Sequence, residues 1–213
     1  MKIGILTRNL ISETKDKTTG IPNTYLNVVN KNNFPIFINN QLELTEKNKL
    51  QLLNQIKDID GFILPGGENV SKVDLFIIDH CYKNNIPLLG ICLCMQEIGY
   101  YFNSKTIKKL PTNSHFKPKD DYVHKIKLTN KGYLHNLLKC DSLFVNSRHN
   151  YHIQKNKNYI IEAKCDKVIE AIKVKNTKYI LGVQFHPEIM ATYDNNAKKI
   201  LEDFLKVCSL NNI

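Results

Sequence analysis

Short apolar runs alternate with helix-like patterns through the first hundred residues of this chain. The runs extend over Lys2 to Arg8, Phe34 to Ile38, Asp60 to Leu64 and Pro87 to Ile91. Strands separated by helices pair in parallel, and nearly continuous apolar strands are typical of sheets covered on both faces. Thr45 and Ser71 each precede a helical pattern and are good N-cap residues. The sequence therefore predicts an α/β fold with ligands beyond the carboxyl ends of the strands.

The second half of the chain has a different pattern. Ser104 to Asp121 is rich in lysine and proline and is expected to be a loop, as is the polar stretch from the first strand through Thr19. Short β-like runs follow at His124 to Leu128, Leu143 to Asn146, Tyr159 to Ala163, Ala171 to Val174 and Tyr179 to Phe185. Their close spacing predicts antiparallel additions to the main sheet. Ala191 to Leu210 has the pattern of a final amphipathic helix, and we expect a single domain over residues 1–213.

The net charge and the composition limit the classes of function that this chain can have. The formal net charge is +10, but the lysines are spread along the whole chain and only Arg8 and Arg148 are arginines. A diffuse excess without a basic, aromatic-rich stripe argues against a nucleic-acid partner, although it could steer anionic small molecules. No apolar run is long enough to span a membrane, and the amino terminus does not have a signal-peptide pattern, so we expect a cytoplasmic protein. In that compartment the six cysteines are expected to be free thiols.

Pro87 to Gln96 combines a strand, a sharp turn and a helix start, with Cys92 at the apex. Such an elbow presents one nucleophilic side chain above the end of a sheet. The following helix amino terminus favours negative charge, which lowers the pKa of a thiol placed there. The alternative is a buried cysteine that ends a core strand.

Tyr179 to Glu188 is the second decisive stretch, because a strand ends at Phe185 and His186-Pro187-Glu188 turns away from it. A histidine near a thiol can take its proton, and a carboxylate can hold the imidazole in the required tautomer. Alone, this pattern favours a helix start with a structural histidine and a solvated glutamate. Together with the cysteine elbow it predicts a Cys-His-Glu triad.

The motifs LPGG, GICLCMQ and GVQFHPE, in this order and spacing, resemble those of the class I glutamine amidotransferases. GILTR, PGGEN and VNSRHNYHI are most similar to the stand-alone branch of γ-glutamyl hydrolases, peptidase C26. The resemblance implies a flavodoxin-like, three-layer α/β architecture with a mostly parallel sheet. It covers most of the chain and is weakest over Ser104 to Asp121.

The resemblance also implies roles for individual residues. Cys92 corresponds to the nucleophile, His186 to the base and Glu188 to its partner, while the backbone N–H groups of Gly67 and Leu93 would form the oxyanion hole. Further residues are expected to contact the substrate: Gly66, Gln96, Ser147, Arg148, His149, Asn150 and Tyr151. No metal or organic cofactor is expected in this chemistry.

Several functions are compatible with these residues. The first is hydrolysis of a small-molecule γ-glutamyl amide through a γ-glutamyl thioester on Cys92. The alternative is a glutaminase subunit that delivers ammonia to a separate synthetase. A non-catalytic relative would be expected to lack the cysteine, histidine or glutamate, and a redox or metal protein would use Cys92 with Cys94.

The sequence departs from the family pattern at three positions. Cys94 stands where the elbow usually has glycine, Leu93 where many stand-alone hydrolases have arginine, and Tyr151 where that branch often has glutamine. Arg148 is either a solvated loop residue or a ligand for a phosphate or carboxylate on the leaving group, which a guanidinium binds in bidentate fashion.

Overall fold

The computed structural model describes residues 1–11, 16–29, 33–103 and 107–210. Within these ranges the strands are β1 (Lys2–Leu6), β2 (Arg8–Ile11), β3 (Lys17–Gly20), β4 (Phe34–Ile38), β5 (Gly61–Leu64), β6 (Leu88–Ile91), β7 (Lys108–Lys109), β8 (His124–Leu128), β9 (Ser142–Val145), β10 (Tyr151–His152), β11 (Tyr159–Cys165), β12 (Val168–Val174) and β13 (Ile180–Val183). The helices are α1 (Asn23–Val29), α2 (Glu46–Ile56), α3 (Lys72–Asn84), α4 (Leu93–Asn103), α5 (Tyr133–Leu138), α6 (Pro187–Met190) and α7 (Asn195–Ser209).

One nine-stranded sheet organises the fold, in the order β4-β1-β5-β6-β13-β12-β11-β8-β9. The strands from β4 to β13 pair in parallel, and those from β13 to β9 pair antiparallel. The predicted α/β class and the antiparallel additions are therefore confirmed. Thr45 and Ser71 cap α2 and α3 with their side-chain oxygens, as expected from the sequence.

Strand β13 lies at the junction between the two halves of the sheet. It pairs in parallel with β6, and the register places Val183 beside Ile91. Because the two strands run in the same direction, the residues that follow them emerge at the same edge of the sheet. This register brings the Cys92 elbow and the His186 turn together, although they are far apart in the sequence.

The sheet separates two apolar cores. Helices α1, α5, α6 and α7 pack on one face, where Tyr179 and Phe204 are buried together. Helices α2, α3 and α4 pack on the other face around Phe62. Nearly continuous hydrophobic strands require apolar packing on both faces of the sheet. This packing supports the edge of the sheet beyond β6 and β13.

One predicted loop was wrong and one helix was not predicted, whereas the turn after His186 begins a helix, which the sequence analysis gave as an alternative. β2 and β3 form an antiparallel hairpin where a polar loop was expected. Helix α5 was not foreseen; its Leu134 N–H donates to the carboxylate of Glu162, a contact that local sequence does not reveal. The turn after His186 continues as helix α6. Within the expected loop, residues 104–106 lie outside the described residues and β7 is a two-residue strand paired with β10.

Two further observations concern the helices and the cysteines. Among the helices in the described ranges, none has the length and apolar character needed to cross a bilayer. All six cysteines are free, which confirms the expectation from the sequence.

Candidate active site

Cys92 occupies a strained position between β6 and α4. Its φ is 53°, in the left-handed region that non-glycine residues seldom adopt. The Cys92 N–H donates to the carbonyl of Val183 over 2.8 Å, which ties the elbow to β13. The thiol therefore sits at the amino terminus of α4, where the helix dipole stabilises negative charge.

His186 and Glu188 form a buried pair on the neighbouring turn. His186 Nδ1 lies 2.8 Å from Glu188 Oε1, and both residues are almost inaccessible to solvent. Burial alone would lower the pKa of His186, but the negative charges of Glu188 and the Cys92 thiolate outweigh it and raise the pKa to about 10. Glu188 thus fixes the imidazole with Nδ1 as the proton donor and stabilises its cation.

Gly66 packs against both Cys92 and His186. A Cβ added at Gly66 would lie 3.0 Å from His186 Cε1 and 3.3 Å from the Cβ of Cys92. His186 Nε2 has no hydrogen-bond partner among the described residues. The second ring nitrogen is therefore available to exchange a proton with the thiol or with a substrate atom.

Two residues that the sequence analysis did not single out support the triad. Asn146 exchanges two hydrogen bonds with the backbone of His186: Nδ2 donates to the carbonyl over 3.2 Å, and Oδ1 accepts from the N–H over 2.8 Å. Gln184 Nε2 donates to Cys92 Sγ over 3.7 Å. Asn146 lies in the motif VNSRHNYHI, and Gln184 lies in GVQFHPE. Their place in these motifs was the sequence signal that could have identified them.

The side chain of Arg8 supports the loop that carries Gly66 and Gly67. The Arg8 guanidinium donates to the carbonyls of Pro65 and Gly66, with a shortest distance of 2.7 Å, and makes two hydrogen bonds to Asp74. Burial opposes the charge on Arg8, yet Asp74 raises its pKa above the ordinary value. Sequence reasoning noted Arg8 only as one of two arginines, because its partners are distant in sequence.

Gly67 and Leu93, which carry the expected oxyanion donors, pack against each other. Leu93 is the first residue of α4, so its N–H has no acceptor within the helix. The Gly67 backbone packs against Leu93, and a Cβ at Gly67 would lie 3.0 Å from Leu93 Cδ2. The assignment of the Gly67 and Leu93 N–H groups as oxyanion donors stays a prediction.

Cys94 fits because the preceding strand carries a glycine. A Cβ at Gly90 would lie 3.0 Å from Cys94 Sγ, so the missing side chain leaves space for the thiol. Cys94 is fully buried, and burial together with nearby Glu97 raises the pKa of its thiol well above the ordinary value. Cys94 is thereby kept protonated, and it serves as a packing residue between α4 and β6.

Two clefts are both lined by Leu93, the residue that follows Cys92. A larger cleft of about 670 Å³ is lined by Gly66, Gly67, Arg148 and His186, among others. A smaller cleft of about 390 Å³ is lined by Gln96 and Tyr151, and Leu93 borders both clefts. Gln96 Nε2 donates to the carbonyl of Tyr151 over 3.0 Å and to Gln184 Oε1 over 3.2 Å. The predicted substrate residues thus divide between two compartments.

Three of the predicted substrate residues line neither of these clefts. Ser147 is buried, and its hydroxyl donates to the carbonyl of His115. The His149 ring points to Glu170, with Nε2 3.6 Å from Oε1. Asn150 is half-buried beside them. The expectation that the His149 side chain contacts the substrate does not agree with this orientation, because the ring is turned toward a buried carboxylate on β12.

Comparison with known proteins places these observations in a family. Residues 71–188 match the family model described as Peptidase C26. The chain is 33% identical over 171 residues to Anthranilate synthase component 2 of Cyanophora paradoxa, an alignment that covers 76% of this chain and 84% of that protein. It is 30% identical over 162 residues to a subunit of the glutamine-hydrolyzing GMP synthase of Methanococcus aeolicus, covering 74% and 79%.

Solved structures share the fold. A GMP synthase subunit protein, so described, from Thermoplasma acidophilum superposes with a TM-score of 0.73 at 18% identity, covering 100% of this chain and 96% of that one. The glutaminase domain of Trypanosoma brucei CTPS, with bound acivicin, has a TM-score of 0.71 at 16% identity, covering 98% and 93%. With its α/β sheet, its cysteine elbow and the family match over residues 71–188, the chain belongs to the Peptidase C26 family, within the class I glutamine amidotransferases.

Proposed function

We propose that this chain is a glutaminase: it hydrolyses the side-chain amide of glutamine through a γ-glutamyl thioester on Cys92. The observation that carries the proposal is the convergence of a strained thiol and the His186–Glu188 pair, both of which pack against Gly66. This arrangement supplies a nucleophile, a base and an orienting carboxylate, which is what acyl transfer through a thiol requires.

The proposed reaction has two halves. The Cys92 thiolate attacks the amide carbonyl, and the N–H groups of Gly67 and Leu93 stabilise the oxyanion. The imidazolium of His186 then protonates the leaving nitrogen, and ammonia departs. In the second half His186 takes a proton from water as the water attacks the thioester, which releases glutamate and the Cys92 thiol.

The relatives favour a role beside a synthetase over that of a stand-alone hydrolase. Two of them are named as component 2 of anthranilate synthase and as one subunit of GMP synthase. This chain spans 84% and 79% of those relatives, but only 37% of the CTP synthase of Aquifex aeolicus. We therefore propose that a separate synthetase consumes the ammonia.

A second candidate is hydrolysis of γ-glutamyl amides with larger, anionic leaving amines. Arg148 favours it, because this exposed guanidinium lines the larger cleft together with His186. The glutamyl part would then occupy the smaller cleft beside Gln96, and the amine would extend toward Arg148, where a carboxylate could bind in bidentate fashion.

The experiment that tests the proposal measures glutamate release by the wild-type chain and by Cys92→Ala. The substrates are glutamine and γ-glutamyl amides whose leaving amine is as small as ammonia, larger and neutral, or carboxylate-bearing. Exposure to acivicin followed by mass spectrometry should give a single adduct on Cys92. No adduct and no glutamate release from any substrate, in a folded sample, would contradict both candidates.

The same panel separates the candidates. A glutaminase subunit should prefer glutamine and turn it over slowly without its synthetase. A stand-alone hydrolase should prefer a larger amide by at least tenfold in kcat/KM, and Arg148→Ala should raise KM only for carboxylate-bearing amines. Lys72→Ala, at another position lining the same cleft, is the matched control for loss of a positive charge.

A further inference from the structure

Three histidines surround one buried carboxylate on the antiparallel side of the sheet. Glu170 lies in the interior of β12 and is completely buried. Its Oε1 lies 3.2 Å from His115 Nδ1, 3.2 Å from His124 Nε2 and 3.6 Å from His149 Nε2. The proposed hydrolysis uses none of these imidazoles, so the cluster needs its own explanation.

The hydrogen-bonding pattern of this cluster is incomplete. His115 Nδ1, His149 Nε2 and both oxygens of Glu170 are buried without a hydrogen-bond partner among the described residues. Each of the three imidazoles lies within ion-pair distance of Glu170 Oε1. Buried polar atoms are almost always paired, and an unpaired one is destabilising. Several such atoms converging on one point indicate a missing partner.

The tautomer of His149 identifies the kind of partner. His149 Nδ1 lies 2.9 Å from the carbonyl oxygen of Tyr151, which can only accept a hydrogen bond. The proton must therefore be on Nδ1, and in the neutral ring Nε2 presents a lone pair to the oxygen of Glu170. Two acceptors face each other, so a cation, either a proton or a metal ion, is required between them. A backbone carbonyl that fixes the distal ring nitrogen is also the usual setting of a metal-binding histidine.

The spacing fits a first-row metal ion. Ligands that lie about 2.0–2.1 Å from a tetrahedral zinc ion are about 3.4 Å apart from one another. The contacts of Glu170 with His115 and His149 are 3.2 and 3.6 Å, and the ligand atoms of all three residues lie within 4.8 Å of one another. Two imidazoles and one carboxylate are a common zinc ligand set.

The cluster is also held in place before any ion binds. His149 N–H and the hydroxyl of Ser147 both donate to the carbonyl of His115, which joins two of the candidate ligands through their backbones. Both ring nitrogens of His124 lack hydrogen-bond partners within the described residues, and this ring lies beside the cluster, with Nε2 3.2 Å from Glu170 Oε1.

We propose that His115, His149 and Glu170 bind one zinc ion that joins the segment before β8 and the Ser147–Tyr151 segment to the sheet. The role of this ion is structural. It lies on the β12 side of the sheet, outside the two clefts, and it takes no part in acyl transfer. Its position behind Ser147–Tyr151 would fix the carbonyl of Tyr151, which accepts from Gln96.

The test measures zinc on the intact chain purified without chelators, by elemental analysis and by titration with Zn²⁺ against a competing chromophoric chelator. Wild type should hold about one zinc per chain. Glu170→Gln and His115→Ala should each weaken Zn²⁺ affinity at least tenfold. His135→Ala is the control, because this partly exposed histidine pairs with Asp141 at 3.1 Å away from the cluster and should leave affinity unchanged.

A second measurement does not depend on whether the variants fold. Co²⁺ added to metal-free wild type should give the intense visible absorption of a tetrahedral site, and added Zn²⁺ should abolish it and raise the melting temperature. Absence of Co²⁺ absorption together with Zn²⁺ binding no tighter than that of Glu170→Gln would overturn the proposal. The cluster would then be a buried ion pair between Glu170 and a protonated histidine.

Discussion

The side chain of Asn146 holds the backbone of His186 through two hydrogen bonds, one in each direction. Both partners are buried, and Asn146 N–H also contacts Met190 Sδ in the helix that follows the histidine. The position of the imidazole therefore depends on a residue from the end of β9. The catalytic turn is supported by the antiparallel half of the sheet as well as by β13.

Replacing Asn146 with alanine should weaken both stability and catalysis. The substitution leaves the buried N–H of His186 unpaired, which costs about 1–3 kcal/mol, whereas the His186 carbonyl still accepts from the N–H groups of Ile189 and Met190. Urea unfolding should show a loss of about 1–3 kcal/mol, and kcat for the best amide substrate should fall. Asn136→Ala removes an exposed side-chain bond to Lys131 and is the control; equal losses in both variants would contradict this account.

The His186–Glu188 pair should make stability depend on pH in the alkaline range. The pKa of His186 is raised from 6.5 to about 10 in the folded chain, because the effect of Glu188 and the Cys92 thiolate exceeds that of burial. A raised pKa stabilises the fold fully below pH 6.5, and this contribution is lost as pH rises through 10. Removing the charge of Glu188 should remove much of this contribution to the free energy of unfolding.

The measurement compares urea unfolding of wild type and Glu188→Gln at several pH values. The difference in unfolding free energy should exceed about 1 kcal/mol near pH 6.5 and shrink by pH 10. Glu202→Gln, which removes a solvent-exposed partner of Lys198, should stay within about 0.5 kcal/mol of wild type. A Glu188→Gln difference that grows with pH would show that the sign is wrong.

Gly66→Ala should slow hydrolysis without unfolding the chain. The added methyl group would lie 3.0 Å from His186 Cε1 and 3.3 Å from Cys92 Cβ, so one or both residues must shift by a few tenths of an ångström. A displacement of about 1 Å in a catalytic group can cost about 100-fold in rate, so we expect this smaller shift to lower kcat by about tenfold. At Gly20 the added Cβ would meet only the end of the Leu10 side chain, so Gly20→Ala is the control.

Arg8→Lys should separate positioning from charge. Arg8 makes two hydrogen bonds with Asp74 while its other N–H groups hold the carbonyls of Pro65 and Gly66. Lysine keeps the charge but lacks the planar fork, so the oxyanion loop should lose its support. We expect kcat to fall at least tenfold while KM changes little, since Gly67 is expected to act on the transition state. An unchanged kcat would remove Arg8 as a positioning residue.

Cys94→Ala should retain hydrolysis, whereas Cys92→Ala should not. The Cys94 thiol is fully buried with a raised pKa, so it should not react with iodoacetamide in the folded chain. Peptide mapping after brief alkylation should find label on Cys92 and none on Cys94. Loss of hydrolysis in a folded Cys94→Ala variant would assign this residue a role that its position does not suggest.

The amino-acid sequence alone was enough to predict most of the buried strands and two helix starts. The apolar runs are long enough to identify the buried strands, and Thr45 and Ser71 mark helix starts through their own side chains. The order of the cysteine elbow and the His-Pro-Glu turn likewise predicts which side chains react. These signals are local, because they depend on neighbours within one or two turns of the chain.

Only the tertiary structure determined which distant residues meet. Arg8 contacts Asp74 across 66 positions, and Asn146 contacts His186 across 40. The cluster around Glu170 gathers histidines from three separate segments, and none of them follows a metal-binding spacing in the sequence. Periodicity and capping carry no information about such pairs, because their geometry arises from the strand order that places β13 between β6 and β12.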